Sequence, residues 1–176
     1  MIAYRGSKKF AELEVWKYVK EKKPSFDIVT LCPPMTFGPV VHPVSKVEEL
    51  NESNAMLWKI ASGDKALPVT RVPFWIDVRD LATAHVEALL RSEAGNKRFT
   101  PASPEHFSYA VAAGIMIDEF VWAKGRVSEV AQSVDESYGL DGETVTRELG
   151  LKYRSFRETV MDLVAQASGM VKDHNE

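Results

Sequence analysis

The stretch Phe26-Asp27-Ile28-Val29-Thr30-Leu31-Cys32-Pro33-Pro34-Met35-Thr36-Phe37-Gly38-Pro39 changes character halfway along. Its first half is mostly apolar, carries the β-branched residues Ile28, Val29 and Thr30, and is bounded by Pro24 and by Pro33-Pro34, a pattern that predicts a buried strand over Phe26 to Cys32. Upstream, residues 4–23 lack proline and contain only Gly6. Phe10, Leu13 and Trp16, with a parallel row of Ala11, Val15, Tyr18 and Val19, recur at intervals of three and four, which predicts an amphipathic helix stopped by Pro24. A helix delivering the chain into an apolar strand with a polar loop beyond it is the unit of a doubly wound α/β sheet, in which ligands gather outside the carboxyl ends of the strands. The loop Pro33 to Pro39 occupies that position.

Working outward, the spacing predicts a helix from Val47 to Ala61 closed by Gly63, a brief strand Phe74-Trp75-Ile76, and a helix over residues 77–91 with Asp77 as its N-cap. Lys97 to Thr100 reads as a strand and Tyr109 to Val121 as a largely apolar helix. A short helix over Thr144 to Leu149 is stopped by Gly150, and the capping box at Ser155 to Glu158 opens a last helix ending near Gly169. No repeat, low-complexity tract or linker interrupts residues 1–176, so the chain reads as a single unit. One feature departs from a complete doubly wound sheet, which begins with a strand and a glycine-rich turn seating a pyrophosphate. Here the first element is a helix.

Tyr4 and Lys8 form Y-x-x-x-K, a spacing that puts both on one helix face with the ammonium near the phenol. A cation there favours phenolate, bringing a group that ordinarily titrates near pH 10 toward use as a proton donor or acceptor. Tyr18 and Lys22 repeat the spacing, so spacing alone does not choose between the pairs, and an exposed Lys beside a partly packed Tyr is the plainer reading of either.

The surrounding residues separate them. Ala3-Tyr4-Arg5-Gly6-Ser7-Lys8-Lys9-Phe10-Ala11-Glu12 resembles the active-site helix of extended short-chain dehydrogenases/reductases, in particular the fungal methylglyoxal or ketone reductases related to dihydroflavonol and cinnamoyl-CoA reductases. Cys32 to Pro39 is similar to the family's N-P-x-x-x-F-G-P segment, with Cys32 where Asn is usual. Leu50-Asn51-Glu52-Ser53 is similar to its L-N-x-S stretch, residues 75–85 to its I-D-V-R-D-V-A-x-A-H segment, and residues 148–156 to the stretch before its last helix. The resemblance implies an incomplete Rossmann-like α/β fold: a C-terminal half carrying the substrate-binding region, with the glycine-rich dinucleotide-binding half, the selectors of the 2′-phosphate and the catalytic Ser absent upstream.

It also implies NADPH-dependent reduction of an aldehyde or ketone, with Tyr4 and Lys8 as the catalytic pair and as cofactor contacts. Pro33, Thr36 and Ser53 would contact the cofactor, and Met35 and Phe37 would line the substrate pocket. The chain by itself is expected to be inactive or weakly active. Two alternatives stand beside this reading: a nucleotide-sugar epimerase or dehydratase of the same fold, and a non-catalytic shortened paralogue acting as a binding or dimerisation module.

Composition narrows the partners. The 176 residues carry 22 basic and 25 acidic side chains for a net charge of −3, which gives no electrostatic reason to expect nucleic acid. A single cysteine allows neither an intrachain disulfide nor a thiolate metal cluster, and no apolar run has signal-peptide or membrane-spanning length. The expectation is a cytoplasmic protein with a small carbonyl partner, no membrane contact, and self-association through an exposed sheet edge. His42, His85, His106 and His174 show no metal-ligand spacing, so no metal is expected and His85 reads as a core or hydrogen-bonded residue. Asp77, Arg79 and Asp80 read as capping and pairing groups, Cys32 as buried packing, and Trp16, Trp58, Trp75 and Trp122 as core.

Overall fold

The computed structural model describes residues 2–134 and 137–173; His174 lies outside them. Ten regular elements follow in order: α1 (Ile2–Lys22), β1 (Thr30–Leu31), β2 (Met35–Phe37), α2 (Glu52–Ala61), β3 (Trp75–Asp77), α3 (Val78–Leu90), β4 (Arg98–Phe99), α4 (Tyr109–Glu119), α5 (Glu143–Leu149) and α6 (Phe156–Asp173). The strands form two parallel pairs, β1 with β4 and β2 with β3, flanked by helices. This is a partial doubly wound α/β fold.

The expected strand over Phe26 to Cys32 contracts to Thr30 and Leu31. Its partner β4 is itself two residues long, and the pairing closes with Thr30 N–H donating to Lys97 O (3.1 Å) and Cys32 N–H donating to Phe99 O (2.9 Å). Phe26 is left 57% exposed. The segment Pro33 to Pro39, expected as loop, contains β2. Two prolines end one strand, but the chain resumes extended pairing beyond them because Met35, Thr36 and Phe37 lie in register with Trp75, Ile76 and Asp77.

The helix expected from Val47 to Ala61 is broken. A 3₁₀ turn at Val47–Glu49 gives way to extended backbone at Leu50 and Asn51 before α2 begins, so that Leu50 enters the protein interior. The last helix runs through Gly169 to Asp173, and Ser155 Oγ accepts from Glu158 N–H while the Glu158 carboxylate turns to Arg154 and Arg79. Gly150 ends α5 in the left-handed region, φ 68°.

β3 divides the interior, because successive strand side chains point to opposite faces. Trp75 enters a core with Phe37, Phe107 and Phe156, where Phe37 meets Phe107 edge-on at 5.0 Å and Trp75 lies 4.8 Å from Phe156. Ile76 enters a second core with Ala84, Ala88, Phe99, Val145, Leu149 and Leu151. Helix α1 forms as expected but joins neither core, and Tyr4, Phe10, Leu13 and Tyr18 are all exposed. The periodic stripe makes a helix, yet it is covered only in part: Val15, Trp16 and Val19 are half-buried, and none of the stripe is fully buried. Glu12 tethers α1, its Oε1 accepting from Arg98 Nε (2.8 Å) and Thr30 Oγ1 (3.0 Å).

Candidate functional site

Two groups of the expected site residues form local constellations. On α1 the four-residue spacing places Lys8 Nζ 5.5 Å from the centroid of the Tyr4 ring, so the pair shares a face. Tyr4 is 66% exposed, and Lys8 forms no ion pair among the described residues. Tyr18 and Lys22 show no such contact among the described residues.

The second constellation is built on β2. Pro33 is exposed, Met35 and Thr36 are half-buried, and Phe37 is buried. Ser53, at the start of α2, donates its hydroxyl to the Thr36 carbonyl at 2.5 Å and accepts from Asn51 Nδ2 at 2.7 Å. Thr36 and Ser53 are thus joined through backbone, while Thr36 Oγ1 approaches Pro34 O at 3.4 Å. Met35 packs at the edge of the first core, and the Phe37 ring lies within that core. No hydrogen bond among the described residues joins the Tyr4 and Lys8 pair to β2.

Two residues outside the expected set hold this segment. Asn54, buried beside Ser53, accepts from Gly38 N–H (3.2 Å) and donates to Gly38 O (2.8 Å), and Gln166 of α6 makes the matching two-point contact with Val40, each bond 2.8 Å. Asn54 carries a signal in the sequence, a polar residue on the stripe that continues through Leu57 and Ala61. Gln166 carries none.

The charged cluster at the β3–α3 junction fastens α6 to the sheet. Asp77 Oδ1 accepts from the Arg79 N–H (2.7 Å) and Nε (2.9 Å), and its Oδ2 accepts from Arg79 Nη2 (2.8 Å) and Thr159 Oγ1 (2.7 Å). Burial pushes the Asp77 carboxyl upward, but the bonds from Arg79 and Thr159 outweigh it and hold it below the usual range. Asp80 accepts from Arg154 yet is raised, burial dominating.

Cys32 is half-buried rather than fully packed; burial raises its thiol, which is bonded to Glu12. His85 is exposed and not in the core, its Nδ1 lying 2.8 Å from Leu81 O. Of the tryptophans Trp75 alone is fully buried; Trp16 and Trp58 are half-buried, and Trp122 is 39% exposed beneath Arg126. Among the described residues no three potential ligand side chains converge on a metal position, and no helix is long and apolar enough to cross a membrane. A groove of about 310 Å³ lies elsewhere, between β1 and α3, lined by Asp27, Val29, Leu31, Ala88, Leu89 and Arg91 among others.

No protein-family model matches the sequence. The chain is 38% identical to an uncharacterized oxidoreductase of Schizosaccharomyces pombe, over 92% of its own length and 48% of the relative's. It is 33% identical to a ketoreductase of Aspergillus niger, over 93% and 50%. The solved yeast methylglyoxal/isovaleraldehyde reductase complexed with NADPH superposes with a TM-score of 0.83 at 27% identity, over 97% of this chain and 52% of that one. The chain spans about half the length of the curated relatives it matches.

Proposed function

We propose that this chain belongs to the extended short-chain dehydrogenase/reductase family, corresponds to the C-terminal half of its members, and carries the proton-transfer machinery of an NADPH-dependent aldehyde or ketone reductase. The observation that carries this reading is the Lys8 ammonium set 5.5 Å from the Tyr4 ring centre on an exposed helix face. Tyr4 gives its phenolic proton to the carbonyl oxygen as that oxygen gains negative charge. Lys8 stabilises the phenolate left behind and offers its ammonium to the hydroxyls of the cofactor ribose. NADPH supplies the hydride when bound.

The donor set fits the nicotinamide end of such a cofactor. Lys8 is exposed and unpaired among the described residues, Pro33 presents an exposed ring, and Thr36 and Ser53 stand together at the end of β2. Met35 is assigned to the substrate side, where an adaptable thioether suits an apolar carbonyl. Phe37 acts from within the core by fixing the backbone that carries Thr36. No glycine-rich turn seats a pyrophosphate among the described residues, so the chain alone is expected to turn over little or nothing.

The test is a fusion of a dinucleotide-binding half from a related reductase upstream of Met1, assayed by NADPH oxidation with a panel of ketones and aldehydes. Turnover should fall by roughly 10²-fold to 10⁴-fold in Tyr4→Phe, the range of general acid catalysis, and stay near wild type in Tyr18→Phe. Equal damage from both, with both folded, removes Tyr4 from the assignment. A folded fusion that binds NADPH but reduces none of the panel favours the non-catalytic reading.

A further inference from the structure

We propose that Met56 is a site of reversible oxidation by a hydroperoxide, with the buried hydroxyl of Tyr109 holding the oxygen that the sulfur acquires. Four of the chain's six methionines gather at the first core: Met116 lies inside it, and Met35, Met56 and Met161 pack half-buried at its edge. A thioether at that edge is open to a small oxidant while the core stays folded. Of the three, Met56 alone has a hydrogen-bond donor on its sulfur among the described residues, the Tyr109 O–H at 3.0 Å.

Tyr109 opens α4, is 4% exposed, and its ring meets Phe107 edge-on at 5.5 Å. Among the described residues its hydroxyl makes one hydrogen bond, and the acceptor is a thioether, which is weak in that role. A buried O–H on a weak acceptor recovers little of what it lost on leaving water. Burial, with the Glu52 carboxylate one turn before Met56, raises the phenol above its ordinary range, so it stays protonated and stays a donor.

In the step itself, Met56 Sδ attacks one oxygen of hydrogen peroxide; an S–O bond forms as the O–O bond breaks, and the proton on the transferred oxygen passes to the departing hydroxide, which leaves as water. Sulfur gives up an electron pair and the peroxide takes it. The product is a sulfoxide, polar and chiral, and at the edge of an apolar core such a group costs stability when no donor meets it. At Met56 the new oxygen is a strong acceptor within reach of the Tyr109 O–H, which turns from sulfur to oxygen and keeps its own proton. Met35 and Met161 show no such donor among the described residues, so oxygen added to either disturbs the packing. Because Met56 lies on α2 and Tyr109 on α4, the oxidised state ties this helix pair instead of parting it. Sulfoxide reductases return the thioether, one enzyme for each epimer.

The experiment exposes the intact chain to hydrogen peroxide and follows sulfoxide at each methionine by peptide mass spectrometry, with urea midpoints before and after. Met56 should oxidise about fivefold faster than Met35 and Met161, the advantage of one hydrogen bond, and brief exposure that oxidises Met56 first should leave the urea midpoint in place. Tyr109→Phe keeps the ring and deletes the donor, so the Met56 rate should fall to that of Met35 and Met161, whose own rates should not move; loosened packing would instead speed all three. Met56→Leu, close in volume, should delete the fast phase and leave the two slower methionines as they are. Methionine sulfoxide reductases should clear the oxygen from Met56 without denaturant. Equal rates at the three methionines overturn the proposal, as does a Met56 rate that Tyr109→Phe leaves unchanged or raises. Should Tyr109→Phe not fold, a fast phase that persists in Met56→Leu overturns it. A midpoint that drops on oxidation as far in the wild type as in Tyr109→Phe removes the bond from Tyr109 to the sulfoxide, and a sulfoxide that the reductases leave in place removes reversibility.

Discussion

Asn54 is 3% exposed and has little freedom to do anything except hold Gly38, whose φ of 125° lies where side-chain-bearing residues are strained. A Cβ at that position would stand 3.0 Å from Val78 Cγ1. The two residues together set the path of the chain as it leaves β2, and with it the carbonyl of Thr36 that Ser53 grips. Asn54→Ala strands a buried N–H and a buried C=O, so it should cost about 1–3 kcal/mol, read as a lowered urea midpoint with unchanged slope. Gly38→Ala should cost a similar amount, about 1–3 kcal/mol, from backbone strain. Neither residue stands out from local spacing in the way Tyr4 and Lys8 do. A pair four apart on a helix is a statement about one turn of backbone, whereas the contacts of Asn54 and Gln166 span 16 and 126 residues and exist only after the chain has folded.

Between β3 and α3 a single carboxylate, Asp77, is both the last strand residue and the cap of the helix, and this junction was readable because the cap signal is local. The strands were less so. β1 is cut short by the length of β4, 68 residues on, and β2 hides behind two prolines because its pairing with β3 is decided by register with a distant strand. The Asp77 junction has a definite pH signature. Its carboxyl is lowered in the folded protein, so it contributes stability that is complete above the ordinary carboxylate range near pH 4 and is lost as pH falls through the lowered value. Asp80 runs the other way: its carboxyl is raised by burial, so its contribution declines as pH climbs from the ordinary range through the raised value. Asp77→Asn removes the buried carboxylate that Arg79 and Thr159 hold, while Arg79 keeps Asp162 and Glu158, and should cost about 1–3 kcal/mol at pH 7. The deficit relative to wild type should shrink steadily toward pH 3 in urea titrations. A deficit independent of pH would mean that Asp77 acts by shape and not by charge.

At the scale of the molecule, the two cores are stitched together by β3, and α1 stands apart from both. Its 21 residues are long enough to retain some helix unaided, since isolated helices become marginal below roughly 12–15 residues. Its attachment is Glu12, whose carboxyl is pushed up by burial but lowered overall by the bonds from Thr30 and Arg98. A helix fastened by a few polar contacts and bearing exposed Tyr4, Phe10, Leu13 and Tyr18 belongs to the low-stability end of the structure. Its amides are expected to exchange well ahead of those of α4 and α6, which pack Ala112, Met116, Val160 and Leu163 in the first core. Glu12→Ala should widen that gap, speeding exchange along α1 and at Thr30 while leaving α4 and α6 unchanged and the near-ultraviolet signal of buried Trp75 intact. Tyr4 and Lys8 ride on this helix, so where they stand depends on how firmly α1 is held. Should Glu12→Ala speed exchange in α4 and α6 in equal measure, α1 and the cores would be one cooperative unit, and the loose attachment of the helix that carries Tyr4 and Lys8 would have to be given up.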